Sequence, residues 1–346
     1  MMKTSKIGHG KSNIATLTLL LVFTIVAILY LCSWAPYSPV SPARDNLDAA
    51  LRKASMASNT VIITVINKAY VEPVNEDNPS MLDLFLEGFW EGEGTRGLVD
   101  HLLVVAMDRT AYERCVFRRL HCYGLNTDGA GGVDFSGEKI FMSKDFIDMM
   151  WRRTLFLLDV LKRGYNFIFT DTDIIWLRNP FTRLSSNSTE DLQISTDIFT
   201  GDPWSTSNPI NTGFYYVRSN KKTINLFQTW YDMRKNYPAK MKEQDILALM
   251  KRAGVFKEMG LVVRYLDVLY FSGFCTDTKD AAAVATVHAN CCRSVNAKVV
   301  DLRNVLSDWK AYRESRNDDA HTQNFQWTEP VICKNSWDRS NNHTSG

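Results

Sequence analysis

Two carboxylates one residue apart, Asp171 and Asp173, stand at the end of the apolar run Phe167-Ile-Phe-Thr170. A run of that kind reads as a strand that carries the acids to the edge of a sheet. In open α/β sheets, ligands bind at the carboxyl ends of strands. Two carboxylates at this spacing can share a hard divalent cation whose other positions take diphosphate oxygens and water. The cation would neutralise a diphosphate and make it a better leaving group. An isolated Asp-x-Asp is commonly a turn; here the strand before it and Ile174-Ile-Trp-Leu-Arg-Asn-Pro180 after it argue for a site, with Thr172 among its donor contacts.

Further side chains could serve the same chemistry, and each has a plainer reading. His288 offers an imidazole that suits manganese, but from the residues alone it reads as a buried histidine hydrogen-bonded in a disulfide-rich loop. Asn211-Thr-Gly213-Phe214 begins a strand with a permissive residue that would let backbone approach a sugar, although Asn and Gly equally make a β-turn. Glu243-Gln244-Asp245 opens a helix, where acids also act as caps and dipole partners. Arg152 and Arg153 lie on the helix before the motif strand, so one guanidinium can reach a diphosphate with bidentate geometry while the other faces the surface. Thr64, Asn67 and Lys68 close an earlier strand, the usual place for nucleotide contacts in such sheets.

The elements that must position these groups alternate. Val61–Ile66 is a β-branched run of the type that forms a buried parallel strand, and 101–107, 166–170, 192–195, 214–218 and 261–266 read as further strands. Helical spacing runs through 81–90, 110–120, 222–235, 243–252 and 299–312. The long helix 144–161 ends at Lys162-Arg163-Gly164, a basic last turn with a glycine stop. Gly129 to Gly137 is glycine-rich without the Lys-Ser/Thr of a phosphate loop. The alternation predicts an α/β domain with a mainly parallel sheet flanked by helices.

Gly164-Tyr-Asn-Phe-Ile-Phe-Thr-Asp-Thr-Asp-Ile-Ile-Trp-Leu-Arg-Asn-Pro180, with Thr286-Val-His-Ala-Asn-Cys-Cys292 downstream, closely resembles the plant nucleotide-diphospho-sugar transferase family, glycosyltransferase family 77. That family includes rhamnogalacturonan II xylosyltransferases and extensin arabinosyltransferases. The resemblance covers about 59–312. It implies a GT-A fold, a manganese or magnesium ion at the Asp-x-Asp, a nucleotide-sugar donor, UDP-linked, Golgi residence and retention of anomeric configuration. It implies His288 as the third metal ligand after Asp171 and Asp173, Asn211 and Gly213 as sugar contacts, and Gln244 or Asp245 beside the anomeric carbon. The acceptor it implies is a cell-wall glycan or glycoprotein, and the donor sugar a pentose such as xylose or arabinose, or a hexose.

The N-terminus fits that compartment. Residues 14–34 form a nearly uncharged run of about the length a helix needs to cross a membrane. Lys3, Lys6 and Lys11 precede it and no charge follows until Arg44, which predicts a type II signal anchor. A cytosolic tail then covers 1–13, a Pro-containing stem 35–58, the lumenal catalytic domain 59–316 and a polar tail 317–346. Apart from Cys32 in the span, six cysteines form an even set suited to disulfides: Cys115 and Cys122 close a short loop, and either Cys291 or Cys292 can reach Cys275. Asn187 and Asn342 begin glycosylation sequons. With 40 basic against 38 acidic residues, the chain has no field for binding nucleic acid. Two rivals are a haloacid-dehalogenase-like phosphatase, whose motif also follows a strand, and a non-catalytic glycan-binding Golgi protein.

Overall fold

The computed structural model describes residues 20–26, 47–73, 75, 78–125, 135–278, 280–315 and 325–337. The chain divides into two units, Met1–Ser41 and Pro42–Gly346. In the first, residues 20–26 are helical, with the apolar side chains Leu20, Leu21, Val22 and Phe23 exposed. Most of the expected span, together with the cytosolic tail and Asn342, lies outside the described residues. Among the described residues no helix is long and apolar enough to cross a membrane.

The second unit is built on a seven-stranded sheet. In chain order its strands are β1 (Thr60–Ile66), β2 (Leu102–Ala106), β3 (His121–Gly124), β4 (Asn166–Thr170), β6 (Leu192–Thr196), β7 (Ile210–Val217) and β8 (Val263–Tyr265). They lie in the order β3-β2-β1-β4-β7-β6-β8. The pairings β1/β2, β2/β3, β1/β4 and β6/β8 are parallel, and β7 alone runs against its neighbours β4 and β6. The expected mainly parallel α/β sheet is therefore present. Successive strands move outward from β1 to β3, and the chain then returns to place β4 on the other side of β1. That reversal opens a crevice at the carboxyl ends of β1 and β4.

Strand alternation divides the core between two faces. Val61 and Ile63 of β1 and Phe167 and Phe169 of β4 turn to one side, where they meet Leu157 and Leu161 of the helix Lys144–Lys162 and Phe227 and Trp230 of Lys221–Met233. Ile62 and Ile168 turn to the other, onto Leu82, Phe85 and Phe89 of Met81–Glu91. Ser143 caps the long helix by accepting from the Phe146 amide at 3.2 Å, and Gly164, at φ +84°, ends it as the sequence predicts.

A second, three-stranded sheet in the order β5-β10-β9 was not anticipated: β5 (Ile174–Trp176), β9 (Phe271–Gly273) and β10 (Thr286–His288). Strands of three residues are too short to show a period. Two expected boundaries also move. Leu47–Ala54, assigned to the stem, is a helix with Leu47, Leu51 and Ala54 buried in the core, because its apolar residues share one face. In the expected polar tail, Val331–Asn335 is helical and Cys333 is joined to Cys292. The other disulfides are Cys115–Cys122 and Cys275–Cys291, which settles the choice between the adjacent cysteines.

Candidate functional site

The carboxylate pair bridges the two sheets. Asp171-Thr172-Asp173 is the whole connection from β4 to β5, and antiparallel pairing of β5 with β10 sets His288 opposite Ile174, next to Asp173. The connection is pinned at each residue. The Asp171 amide donates to the Gly213 carbonyl at 2.7 Å, and Asp173 accepts from the Ala289 amide at 3.0 Å through its carbonyl. The Thr172 hydroxyl shares a 2.9 Å hydrogen bond with Thr64. Gly213 is glycine for a steric reason: a Cβ there would lie 2.3 Å from His288 Cε1. Its neighbour Asn211 holds the Gly213 amide at 2.8 Å.

Each carboxylate has one oxygen committed to a cation. Arg153 donates to Asp171 Oδ1 at 2.8 Å and to Glu243 Oε1 at 2.7 Å, with its guanidinium 4.5 Å from the centre of the Phe169 ring. Lys298 Nζ lies 2.8 Å from Asp173 Oδ2. The remaining oxygens face the histidine: His288 Nε2 is 3.4 Å from Asp173 Oδ1 and 4.0 Å from Asp171 Oδ2. One ligand atom from each of the three residues lies within 4.8 Å of the other two. Two carboxylate oxygens and an imidazole nitrogen make a donor set that can hold a divalent cation.

The electrostatics separate the two acids. Burial, opposed by Arg153 and reinforced by the Asp173 charge, pushes Asp171 up to about 6. Burial acts on Asp173 as well, but Lys298 and His288 outweigh it and hold this carboxyl well below its ordinary range. Burial likewise works against charge on Lys298, and Asp173 overcomes it, raising the ammonium above its usual value. Tyr70 is pushed up to about 12, mainly by burial, so its hydroxyl stays a neutral donor.

These groups line a cavity of about 320 Å³ at the crevice. Of the expected residues, Asn67, Arg153, Asp171, Thr172, Asp173, Asn211, Gly213, Gln244 and His288 are brought together on its wall. Four are not. Thr64 is fully buried beneath the wall and acts on it through Thr172. Lys68 turns away, its ammonium 3.5 Å from Glu72 and its amide donating to Asp108 at 2.6 Å. Arg152, one residue before Arg153 on a helix and so turned about 100° from it, lines a separate cleft with Tyr123, Leu155 and Asp159. Asp245 caps its own helix by accepting from the Lys242 amide at 3.2 Å, the plainer reading of an acid in a first turn.

Gln244 has a defined orientation. The Thr212 backbone N–H can only donate, so the atom it meets at 3.0 Å is Gln244 Oε1, which leaves the Nε2 hydrogens as donors. Lys298, Tyr70, Asp197 and Asn290 also line the cavity; Asn290 lies in the downstream motif that contains His288, and no motif in the sequence marks the other three. Asp197 Oδ1 accepts from Asn211 at 2.8 Å and from Asn290 at 2.9 Å. Glu243 was visible only as part of an acidic first turn. Glu243 Oε2 and Asn67 Oδ1 are buried acceptors on this wall with no hydrogen-bond partner among the described residues.

Residues 97–302 match the family described as nucleotide-diphospho-sugar transferase. An uncharacterized protein of Arabidopsis thaliana is 56% identical over 85% of this chain and 84% of its own length. The beta-arabinofuranosyltransferase RAY1 of the same plant is 26% identical over 52% of this chain and 31% of its own length. The crystal structure of the galactosyltransferase LgtC with donor and acceptor sugar analogs is 13% identical over 74% of this chain and 99% of that one, with a TM-score of 0.42.

Proposed function

From the premise that this chain belongs to the nucleotide-diphospho-sugar transferase family, we propose that it moves a pentose or hexose from a nucleotide-diphospho-sugar, UDP-linked, to a cell-wall glycan or glycoprotein. The observation that carries this reading is the convergence of Asp171 Oδ2, Asp173 Oδ1 and His288 Nε2 while the partner oxygens are held by Arg153 and Lys298. When bound at that trio, manganese or magnesium supplies Lewis-acid stabilisation of the departing diphosphate.

The chain's own residues do the positioning. Arg153 and Lys298 fix the two carboxylates, so that the facing oxygens are pre-arranged and little reorganisation is needed on binding. Asn67 Oδ1, buried and with no hydrogen-bond partner among the described residues, is an acceptor that a nucleobase or ribose donor satisfies at the end of β1. Gln244 Nε2 offers hydrogens toward the reacting sugar, while Thr212 anchors its oxygen. We further propose retention of configuration, and residence in the Golgi with a type II anchor over 14–34. Three disulfides and the exposed sequon Asn187 support an oxidising lumenal compartment. Against the phosphatase alternative, Asp171 Oδ1 is committed to Arg153 and the motif follows the fourth strand of the chain.

The test is nucleotide release by the full chain with manganese across a panel of UDP-sugars. The reading predicts one preferred donor, and loss of release by roughly a thousandfold in Asp173→Ala, the scale of several kcal/mol of lost charge stabilisation. Equal release by wild type and Asp173→Ala would sink it.

A further inference from the structure

The floor of the cavity is charged, but its mouth is aromatic. Phe141 and Trp337, 36% and 39% exposed, both belong to the cavity wall. Two half-exposed rings on the wall of a polar site differ from scattered surface apolars. They are also held. The Arg293 guanidinium lies 3.9 Å from the Trp337 ring centre and 5.9 Å from that of Phe141, and Lys242 Nζ is 5.4 Å from the Phe141 ring. Trp337 Nε1 donates to the Cys291 carbonyl at 2.7 Å, and the Cys292–Cys333 disulfide fastens the segment that bears Trp337 to the strand end that bears His288.

We propose that Phe141 and Trp337 form the acceptor subsite, a platform on which a sugar ring of the acceptor glycan lays its C–H face while Lys242 and Arg293 donate to its hydroxyls. The inference rests on the sugar-transfer reading above. Sugars present alternating apolar faces and polar edges, and an aromatic face beside cationic donors matches both. The position selects acceptor over nucleotide. Trp337 is tied to the Cys291 carbonyl, three residues beyond His288, so its ring stands beside the trio that faces the diphosphate, where an incoming hydroxyl must approach the sugar.

The test is binding by the full chain, read by saturation-transfer NMR with four methyl glycosides: arabinofuranoside, galactoside, fucoside and galacturonide. UDP affinity with manganese is measured beside it by calorimetry. Wild type binds at least one glycoside, Trp337→Ala and Phe141→Ala each weaken that binding by about tenfold, and Trp337→Phe restores it, with UDP affinity unchanged throughout. Glycoside binding that survives both alanine variants overturns the subsite, as does wild-type binding of none of the four. A parallel fall in UDP affinity overturns it in favour of a nucleobase stack. Failure of sugar transfer itself appears separately, as absence of nucleotide release by wild type with every donor, and leaves the glycoside result readable. Thermal melting confirms that each variant is folded.

Discussion

Glu190 and Asp191, just before β6, and Asp171 and Asp173, just after β4, are two acidic pairs on one sheet, each set against cations, and they are finished differently. Glu190 receives Arg264 on both oxygens, at 2.9 and 2.7 Å, and the Ser185 hydroxyl at 2.9 Å. Asp191 accepts from Asn220 at 2.9 Å, from the Val262 amide at 2.8 Å and from Lys222. At the β4 end, by contrast, one oxygen of each acid is held by Arg153 or Lys298 and the other only faces His288 Nε2, at 4.0 and 3.4 Å, while Glu243 Oε2 has no hydrogen-bond partner among the described residues. Ion pairs alone therefore do not mark a site in this molecule. Acceptor capacity left over after the cations are in place does.

The largest effect separating the two clusters is expected from Arg153→Ala, which leaves Asp171 and Glu243 without their shared cation. Loss of one member of a buried pair costs roughly 3–5 kcal/mol, and urea unfolding should show it together with loss of nucleotide release. Arg153→Lys should recover only part of both, since an ammonium lacks the planar fork that reaches two carboxylates. Next comes Gly213→Ala. Its methyl would displace the His288 ring, lowering manganese affinity by about 10–100-fold in a metal titration while β7 stays folded.

Glu190→Gln tests the finished cluster, with an expected loss of about 2 kcal/mol at neutral pH and donor turnover unchanged. Arg264 holds Glu190 below its ordinary pKa, against the opposing effect of burial. A depressed carboxyl contributes stability above its unfolded pKa and loses it as pH falls through the folded value. Wild type and Glu190→Gln should thus converge in urea midpoint on the acid side of the usual carboxylate range. The smallest effect belongs to Arg152→Ala, which should leave UDP affinity untouched. An effect as large as that of Arg153→Ala would mean that the two neighbours share the site.

Much of this contrast was legible before the fold. Phe167-Ile-Phe-Thr170 predicts β4 because an apolar run between a glycine stop and two acids has few other readings, and the family motif follows from the same stretch. The choice between Arg152 and Arg153 turns on helix rotation, which the apolar positions Trp151, Leu157, Leu158 and Leu161 encode only when they are projected around the axis. Lys298 could not be found, because its meeting with Asp173 depends on how Val295–Ser315 docks through Val299, Leu302 and Leu306. Likewise, which of Cys291 and Cys292 meets Cys275 is decided by backbone direction after β10, where Cys291 takes φ +54°. Lys68 is singled out by its place at a strand end and Asp245 by the triplet the resemblance points to, whereas in the fold Lys68 pairs with Glu72 and Asp245 accepts from the Lys242 amide, contacts that only the local chain geometry decides.

The central claim is that Asp171, Asp173 and His288 hold one divalent cation through which the donor diphosphate binds. Calorimetric titration of UDP into the protein, with manganese and again after chelation, tests it most directly in wild type, Asp173→Asn and His288→Ala. The expected result is one manganese per chain, UDP binding that requires it in wild type, and loss of that requirement together with the tight binding in both variants. Manganese-dependent UDP binding that persists unchanged in both variants, or wild-type UDP binding indifferent to chelation, would contradict it.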